Sequence, residues 1–192
     1  MSISPDGTIA YLNPDGGADV HGWDLDTNTE LPAHGGGLDY IDCADNGNMV
    51  GVNVNGAAYQ TIGNEYKSYT HLGSGYKLMS ASHDFKWLVA TTTDGKLQRY
   101  IDNKWVTIDD NPDLIIGFKT IVVAEHYGKY YVYCLSMEGA FYQYDLQSNK
   151  FAKIEYTGIS GNGIMVEFDI DDKGFLACLG NARSGGYMIC DK

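Results

Sequence analysis

Long hydrophobic runs, basic clusters and signal-peptide features are missing from this chain of 192 residues. No apolar run approaches the length that crosses a membrane, and residues 1–12 have neither a basic region nor an apolar region. No N-x-S/T sequon occurs. These absences favour a cytoplasmic protein, although a secreted protein whose signal peptide has been removed would look the same.

Positive charge is scarce. The chain has 13 Lys and Arg against 25 Asp and Glu, which gives a formal net charge of −12 and a pI near 4.6. A surface this acidic repels phosphate backbones and anionic headgroups, so nucleic acid and membrane insertion are excluded as predicted partners. The negative charge needs no further role than keeping the protein soluble.

Metal-ligand motifs are absent as well. The four cysteines form no C-x-x-C pair, and no two of the five histidines have zinc-site spacing on one element. Strand-like flanks predict that Cys43, Cys134, Cys178 and Cys190 are buried, reduced thiols, with disulfides as the alternative. We therefore predict no metal and no cofactor.

Sustained helical periodicity is also lacking, whereas Gly (24 residues) and Tyr (15 residues) are abundant. Gly supplies positive φ in tight turns, and Tyr packs well on pleated surfaces. This composition predicts many short strands joined by tight turns.

The chain repeats one unit of about 40 residues five times. The copies align on the second strand of each unit, where the matched apolar residues are separated by 40, 39, 43 and 44 residues: Ile9, Met49, Leu88, Tyr131 and Phe175. Each unit contains four short strands, and the fifth copy stops at Lys192 without its fourth. The predicted repeats are approximately 1–37, 38–75, 76–116, 117–162 and 163–192.

A four-stranded unit cannot bury both faces of its sheet alone, so it needs neighbours on each side. With four strands in each copy, radial stacking around an axis is the natural solution. The prediction is an all-β fold in which residues 1–192 form one five-bladed β-propeller with an incomplete last blade.

Two hairpins carry a resemblance to known propellers. GWDLDTNTELPA (residues 22–33) and YQYDLQSNKFAKI (residues 142–154) resemble the third-to-fourth-strand hairpin of WD-type blades, in which aromatic-Asp-Leu precedes a Thr/Ser-Asn turn. The Gly-rich connections, short blades and five copies are more similar to tachylectin-2-like and tectonin-like lectin propellers. The resemblance spans essentially the whole chain and implies a carbohydrate-binding propeller. The Gly-His pair typical of WD repeats is missing.

Acidic segments are explained by the repeat. Residues 24–30 look like a calcium loop but lack its sixth-position Gly and its flanking helices. The matching segment 145–149 recurs in the fourth copy, and Asp6, Asp45 and Asp84 recur at the first-to-second-strand turn. The repetition predicts turn chemistry rather than metal binding.

Catalytic motifs are lacking too. There is no G-x-S-x-G elbow and no phosphate loop, and the HGGG at residues 34–37 has no serine elbow to serve. A carboxylate pair that meets only in three dimensions stays open. The sequence therefore favours a protein that is not an enzyme, with a small hydrolase as the third alternative.

The predicted site lies where the blade-to-blade connections meet the second-to-third-strand loops. Amides and carboxylates there suit vicinal sugar hydroxyls, and nearby aromatic rings suit sugar C–H faces. The candidate ligand-binding residues are His34, Asp39, Asn53, Asn55, His71, Tyr76, Asp94 and Asn162.

We thus predict a non-catalytic module that binds glycans at repeated sites between blades, with a WD-like protein–protein scaffold as the main alternative. The incomplete fifth copy leaves two arrangements open. Either the last blade has three strands, or the chain belongs to a larger ring or oligomer that self-associates through the exposed edge at residues 186–190.

Overall fold

The fold consists of antiparallel hairpins. The computed structural model describes residues 2–3, 8–12, 20–24, 29–34, 37–61, 69–108, 117–154, 165–170, 176–180 and 187–190. Within these residues the secondary structure is β-strand apart from a single 3₁₀ turn at Asp45–Gly47. The all-β prediction is confirmed. None of the described helical structure is long and apolar enough to span a membrane.

The described strands pair in chain order into four four-stranded sheets and one three-stranded sheet. Sheet 1 contains β1 (Ser2–Ile3), β2 (Thr8–Leu12), β3 (Val20–Asp24) and β4 (Thr29–His34). Sheet 2 contains β5 (Leu38–Cys43), β6 (Met49–Asn53), β7 (Ala57–Thr61) and β8 (Thr70–Ser74). Sheet 3 contains β9 (Tyr76–Ala81), β10 (Leu88–Thr92), β11 (Leu97–Ile101) and β12 (Lys104–Thr107).

The two remaining sheets follow the same order. Sheet 4 contains β13 (Phe118–His126), β14 (Lys129–Ser136), β15 (Phe141–Asp145) and β16 (Lys150–Ile154). Sheet 5 contains β17 (Met165–Ile170), β18 (Leu176–Gly180) and β19 (Tyr187–Cys190). Each predicted copy therefore corresponds to one sheet, and the last copy has three described strands.

The chain divides into two compact units. The first comprises Met1–Thr93 and Leu97–Val106, and the second comprises Asp94–Lys96 and Thr107–Lys192. Sheets 1 and 2 lie in the first unit, as does sheet 3 apart from Thr107 at the end of β12, and sheets 4 and 5 lie in the second. The prediction that all 192 residues form a single ring of five blades stays a prediction.

In the first unit, successive sheets pack through their first strands. β5 contacts β1 and β2 of the preceding sheet, and β9 contacts β5 and β6. β6 is buried from Met49 to Val52, because sheet 2 is covered on both faces. A Cβ at Gly51 would lie 2.7 Å from Leu38 Cδ1 and 2.8 Å from the Tyr40 carbonyl oxygen, so this position admits only glycine.

Two apolar clusters fill this unit. The cluster that joins sheets 1 and 2 consists of Ala10, Leu38, Ile41, Cys43 and Met49. The cluster that joins sheets 2 and 3 includes the fully enclosed side chains of Ala58, Met79 and Ala90. Burying such side chains stabilises the fold by roughly 25 cal/mol per Å² of apolar surface.

The second unit uses aromatic rings for the same purpose. β17 contacts β13 and β14, and the core between them includes Tyr133, Leu135 and Phe141. The Phe141 ring meets Phe168 edge to face, with 4.7 Å between ring centroids. Edge-to-face pairs of this kind are favourable beyond the surface that they bury.

The predicted buried thiols are confirmed for two of the four cysteines. Cys43 and Cys134 are buried and free of disulfides. The side chains of Cys178 and Cys190 lie outside the described part of the structure, although their backbones belong to β18 and β19.

Candidate functional site

Three loops are joined by backbone hydrogen bonds at one end of the first unit. The carbonyl oxygen of Gly56, in the β6–β7 turn, accepts hydrogen bonds from the N–H groups of Gly75 and Tyr76, each at 2.9 Å. The carbonyl oxygen of Gly75 in turn accepts one from Thr93 N–H, in the β10–β11 turn, at 2.8 Å. We call this arrangement the loop ladder. The loop ladder fixes the positions of the β6–β7 turn, the β10–β11 turn and the connection between sheets 2 and 3 relative to one another.

Positive φ angles make the loop ladder depend on glycine. Gly56 has φ +76° and Gly75 has φ +95°, in the left-handed region that side chains disfavour. A Cβ at Gly56 would lie 3.0 Å from the Tyr76 carbonyl oxygen, so a larger residue would press the turn away from the connection.

Asn53 ends β6, and Asn55 lies in the β6–β7 turn that follows. The Asn53 side-chain oxygen accepts hydrogen bonds from the N–H groups of Asn55, at 3.0 Å, and Ala57, at 2.9 Å. Asn53 therefore serves the turn itself, whereas the Asn55 residue is exposed. Asp39 is also exposed and lies at a register shift of β5 opposite the end of β6.

His71 lies on β8, near the same end of sheet 2. Its ring is exposed, and its Nε2 atom is 3.3 Å from the Ser74 hydroxyl oxygen. The imidazole also contacts the half-buried Tyr59 ring, with 5.3 Å between centroids. Tyr59 in turn meets Tyr69 edge to face at 6.0 Å. The His71 side chain therefore combines an aromatic surface with a polar edge.

Tyr76 lies mostly inside the protein. It is only 7% exposed, its ring is 4.9 Å from Trp105, and its hydroxyl donates to the Gln98 side-chain oxygen at 3.3 Å. Burial raises the pKa of Tyr76, and Tyr100 adds to the rise. Trp105 itself donates from Nε1 to the Leu72 carbonyl oxygen at 2.8 Å. In its described position Tyr76 joins sheets 2 and 3 rather than facing solvent.

Of the three remaining predicted site residues, the structure describes the side chain of Asp94 alone. Asp94 is exposed in the β10–β11 turn, where its carboxylate pairs with Lys96 Nζ at 3.1 Å. His34 ends β4, and its backbone pairs with Val20. The His34 side chain does not belong to the described part of the structure. Asn162 also falls outside the described residues.

A polar network that the sequence patterns did not reveal joins all three sheets of the first unit. Asp42, on β5, accepts a hydrogen bond from the Ser2 hydroxyl at 2.7 Å on one oxygen. Its other oxygen accepts from the Ser80 hydroxyl at 2.7 Å and from Ala81 N–H at 3.1 Å. Desolvation raises the pKa of Asp42, and these hydrogen bonds oppose the rise only in part. No motif indicates such a network, because its members are about 40 residues apart.

Acidic residues at the turns accept hydrogen bonds within those turns, as the repeat predicts. Asp84 accepts from the Ser82 hydroxyl at 2.8 Å and from Lys86 N–H at 3.2 Å. Asp145 accepts from the N–H groups of Gln147 and Ser148, at 2.8 and 2.9 Å. Desolvation acts against the ionised Asp145 carboxylate, but these hydrogen bonds outweigh it and lower the pKa.

One turn contact also joins two sheets. Asp45 Oδ2 lies 3.1 Å from His83 Nδ1, and Asp45 N–H donates to the His83 carbonyl oxygen at 2.9 Å. This pair ties the first turn of sheet 2 to the first turn of sheet 3. Across the described residues, no three His, Cys, Asp or Glu side chains come together as metal ligands.

Comparison with known proteins adds no assignment. No family model matches the chain, and no curated protein matches it.

Proposed function

We propose that the five sheets form one small β-propeller, similar to the short-blade lectin propellers, and that this protein is a non-catalytic module that binds carbohydrate. The pairing order supports this proposal, because every described sheet is an antiparallel meander in chain order. Packing supports it as well, since within each unit the first strand of one sheet contacts the first two strands of the sheet before it. Repetition of that contact around an axis buries the sheet faces.

The loop ladder is the observation that carries the binding proposal. Backbone hydrogen bonds from Gly75 and Tyr76 to Gly56, and from Thr93 to Gly75, fix three loops before any ligand arrives. Ligand binding then costs little ordering of the backbone. Exposed polar side chains of the first unit stand on or beside these loops: Asp39, Asn55, His71 and Ser74.

The chemistry of these groups suits a sugar. The Asn55 amide offers a donor and an acceptor that fork onto vicinal hydroxyls. The imidazole of His71, backed by Tyr59 at 5.3 Å, offers a ring surface for the C–H face of a pyranose. Asn53 and Tyr76 support this surface without facing the sugar. The Asn53 side-chain oxygen accepts a hydrogen bond within the β6–β7 turn, and the buried Tyr76 side chain packs beneath the connection between sheets 2 and 3.

A glycan array followed by calorimetry tests the proposal. We expect weak binding of a defined sugar class, with dissociation constants of about 10 µM to 1 mM, as is usual where avidity comes from repeated sites. Asn55→Ala and His71→Ala should each weaken binding at least about tenfold, which is a loss of about 1.4 kcal/mol. Thr70→Ala is the matched control, because Thr70 is an exposed neighbour of His71 on β8.

Absence of binding across a broad glycan array would contradict the carbohydrate proposal. Equal losses of sugar affinity in Asn55→Ala, His71→Ala and the control Thr70→Ala would show that the sugar binds elsewhere. Unchanged affinity after chelation is also expected, because the proposed site uses no calcium.

A protein partner at the same loops is the second candidate. Val54 is 74% exposed in the β6–β7 turn, between the two asparagines. An apolar side chain at the tip of a rigid turn suits a protein contact better than a sugar. A Val54→Ser variant separates the two candidates, because it would weaken a protein contact and leave sugar affinity unchanged.

A further inference from the structure

The exposed asparagine of the β6–β7 turn is followed by glycine. The chain has three Asn-Gly steps, at residues 46–47, 55–56 and 162–163. In an unstructured chain such a step deamidates readily, because glycine has no side chain to shield its backbone nitrogen. That nitrogen attacks the side-chain carbonyl carbon of the asparagine, and the amide leaves as ammonia with the displaced proton. Water then opens the resulting succinimide ring at either carbonyl, which gives aspartate or isoaspartate.

The β6–β7 turn holds the attacking nitrogen away from its target. Gly56 N–H donates to the Asn53 carbonyl oxygen at 2.8 Å, which closes a four-residue turn. Val54 and Asn55 are both described and neither has a positive φ, so the turn is of type I. The third residue of a type I turn has ψ of about 0°, which eclipses the next nitrogen with that residue's own nitrogen. Ring closure at Asn55 instead requires the Gly56 nitrogen to eclipse Cβ.

Further hydrogen bonds restrain this geometry. The Asn53 side-chain oxygen accepts from Asn55 N–H at 3.0 Å and from Ala57 N–H at 2.9 Å. The carbonyl oxygen of Gly56 is the first acceptor of the loop ladder. Rotation about the Asn55 ψ moves Gly56 as a whole, so it breaks the turn bond and the ladder bonds together. Succinimide formation therefore requires that the turn open.

The matching turns of sheets 3 and 4 have less reactive residues. The position of Asn55 is taken by Asp94 in the β10–β11 turn and by Glu138 in the β14–β15 turn, and glycine follows each. Gly139 N–H donates to the Ser136 carbonyl oxygen at 3.0 Å, so the turn of sheet 4 closes in the same way. Aspartate has a poorer leaving group than asparagine, and glutamate would have to form a larger ring. The most reactive of the three steps is thus the one in sheet 2.

Isoaspartate would not fit the turn from which it forms. It routes the main chain through the former side chain, which inserts a methylene carbon between Asn55 Cα and Gly56. There is little room for Gly56 to move, since a Cβ there would already lie 3.0 Å from the Tyr76 carbonyl oxygen. The Gly56 carbonyl oxygen is also held by the N–H groups of Gly75 and Tyr76, each at 2.9 Å. A lengthened turn cannot satisfy these contacts and the bond to Asn53 at once.

We propose that the loop ladder protects Asn55 from deamidation, and that isoaspartate formed at this position in an open turn prevents the ladder from closing again. The reaction consumes only water and releases ammonia. Because the ammonia is lost, the amide does not re-form and the modified turn stays open. This chemistry is independent of the ligand that the loops bind.

Incubation at neutral pH with and without urea, followed by peptide mapping by mass spectrometry, tests the protection. Deamidation of Asn55 should be at least about tenfold slower in the native chain than in urea, because it must wait for local opening. Asn53→Ala removes the side-chain acceptor and should speed the native reaction at least about threefold. The rate at Asn46, in the β5–β6 turn, is the internal control and should not change in this variant.

Equal rates at Asn55 in native buffer and in urea would overturn the protection. A native rate that ignores Asn53→Ala, or that rises equally at Asn46, would overturn it as well.

Hydrogen exchange followed by NMR tests the effect of the product. The isoaspartate form is recovered from urea by dilution and separated by ion exchange, and Asn55→Asp is its matched control, because it adds the same charge without lengthening the backbone. The amides of Gly75, Tyr76 and Thr93 should exchange at least about tenfold faster in the isoaspartate form, and within about twofold of wild type in Asn55→Asp. Unchanged exchange in the isoaspartate form, or equally fast exchange in Asn55→Asp, would contradict the proposal.

Discussion

The Asp42 carboxylate accepts a hydrogen bond from the Ser80 hydroxyl at 2.7 Å, across 38 residues of sequence. Together with Ser2 at 2.7 Å, this contact joins the first strands of sheets 1, 2 and 3. The three residues occupy matching register positions, opposite Ala10, Val50 and Val89 of the respective second strands. In sheet 4 the matching residue is the buried Val123, which pairs with Val132. The first unit therefore uses a polar link where the second uses apolar packing.

Removing the Asp42 carboxylate should destabilise the first unit. Asp42→Ala leaves two hydroxyls and the Ala81 N–H without their acceptor. We expect the free energy of unfolding to fall by about 1–3 kcal/mol, the usual cost of an unsatisfied buried polar group. Urea unfolding followed by tryptophan fluorescence measures the change. Asp39→Ala, an exposed aspartate on the same strand, is the control and should change stability by no more than about 0.5 kcal/mol.

The same carboxyl should give stability a defined pH dependence. Burial raises the pKa of Asp42 above its ordinary value of 3.8. The folded state then binds more protons than the unfolded state between the two pKa values, so stability falls as the pH rises through that interval and is constant above it. Asp42→Asn removes this contribution. The difference between wild-type and variant unfolding free energies should therefore change from pH 3.5 upward and level off; a constant difference would contradict the assignment.

Two glycines with nearly equal φ separate backbone strain from steric contact. Gly56 (φ +76°) faces the Tyr76 carbonyl oxygen, whereas Gly128 (φ +73°) has open space around its Cβ position. Both alanine variants incur the cost of a left-handed residue, about 1 kcal/mol. Gly56→Ala should lose about 1–2 kcal/mol more, because the new methyl group displaces the loop ladder. Equal losses in thermal unfolding would show that the ladder does not restrain this turn.

Thiol reactivity reports on the second unit. Burial raises the pKa of Cys134 far above the ordinary range of a thiol, and the thiolate is the reactive form. Alkylation of Cys134 in the native protein should be at least about a hundredfold slower than in urea, because reaction must wait for opening of sheet 4. Peptide mapping by mass spectrometry distinguishes this cysteine from the other three. Similar rates with and without urea would exclude the buried position.

The positions of the candidate site residues were predictable in part, but their contacts were not. The sequence predicts Asn53 and Asn55 as loop residues; Asn53 is the last residue of β6, and Asn55 lies in the β6–β7 turn. The sequence gives no means of separating their roles, since only the structure shows that the Asn53 side-chain oxygen accepts hydrogen bonds from the N–H groups of Asn55 and Ala57. The sequence predicts Tyr76 as a ligand-binding residue that donates or accepts at the loop face, but Trp105, 29 positions further on, packs against its ring. Both residues belong to sheet 3, on its outer strands β9 and β12, so this contact forms only once the four strands of that sheet have paired.

The five-fold repeat was determined by the sequence alone. Apolar residues at intervals of 39 to 44 positions specify short strands and local turns, and local hairpins need only neighbouring residues to form. The role of Asp42 was decided by the tertiary structure instead. Its partners Ser2 and Ser80 lie 40 and 38 residues away, and only the packing of successive first strands brings them within hydrogen-bond distance. The period of the repeat specifies which strands form, but a contact between two sheets requires that the sheets pack against each other.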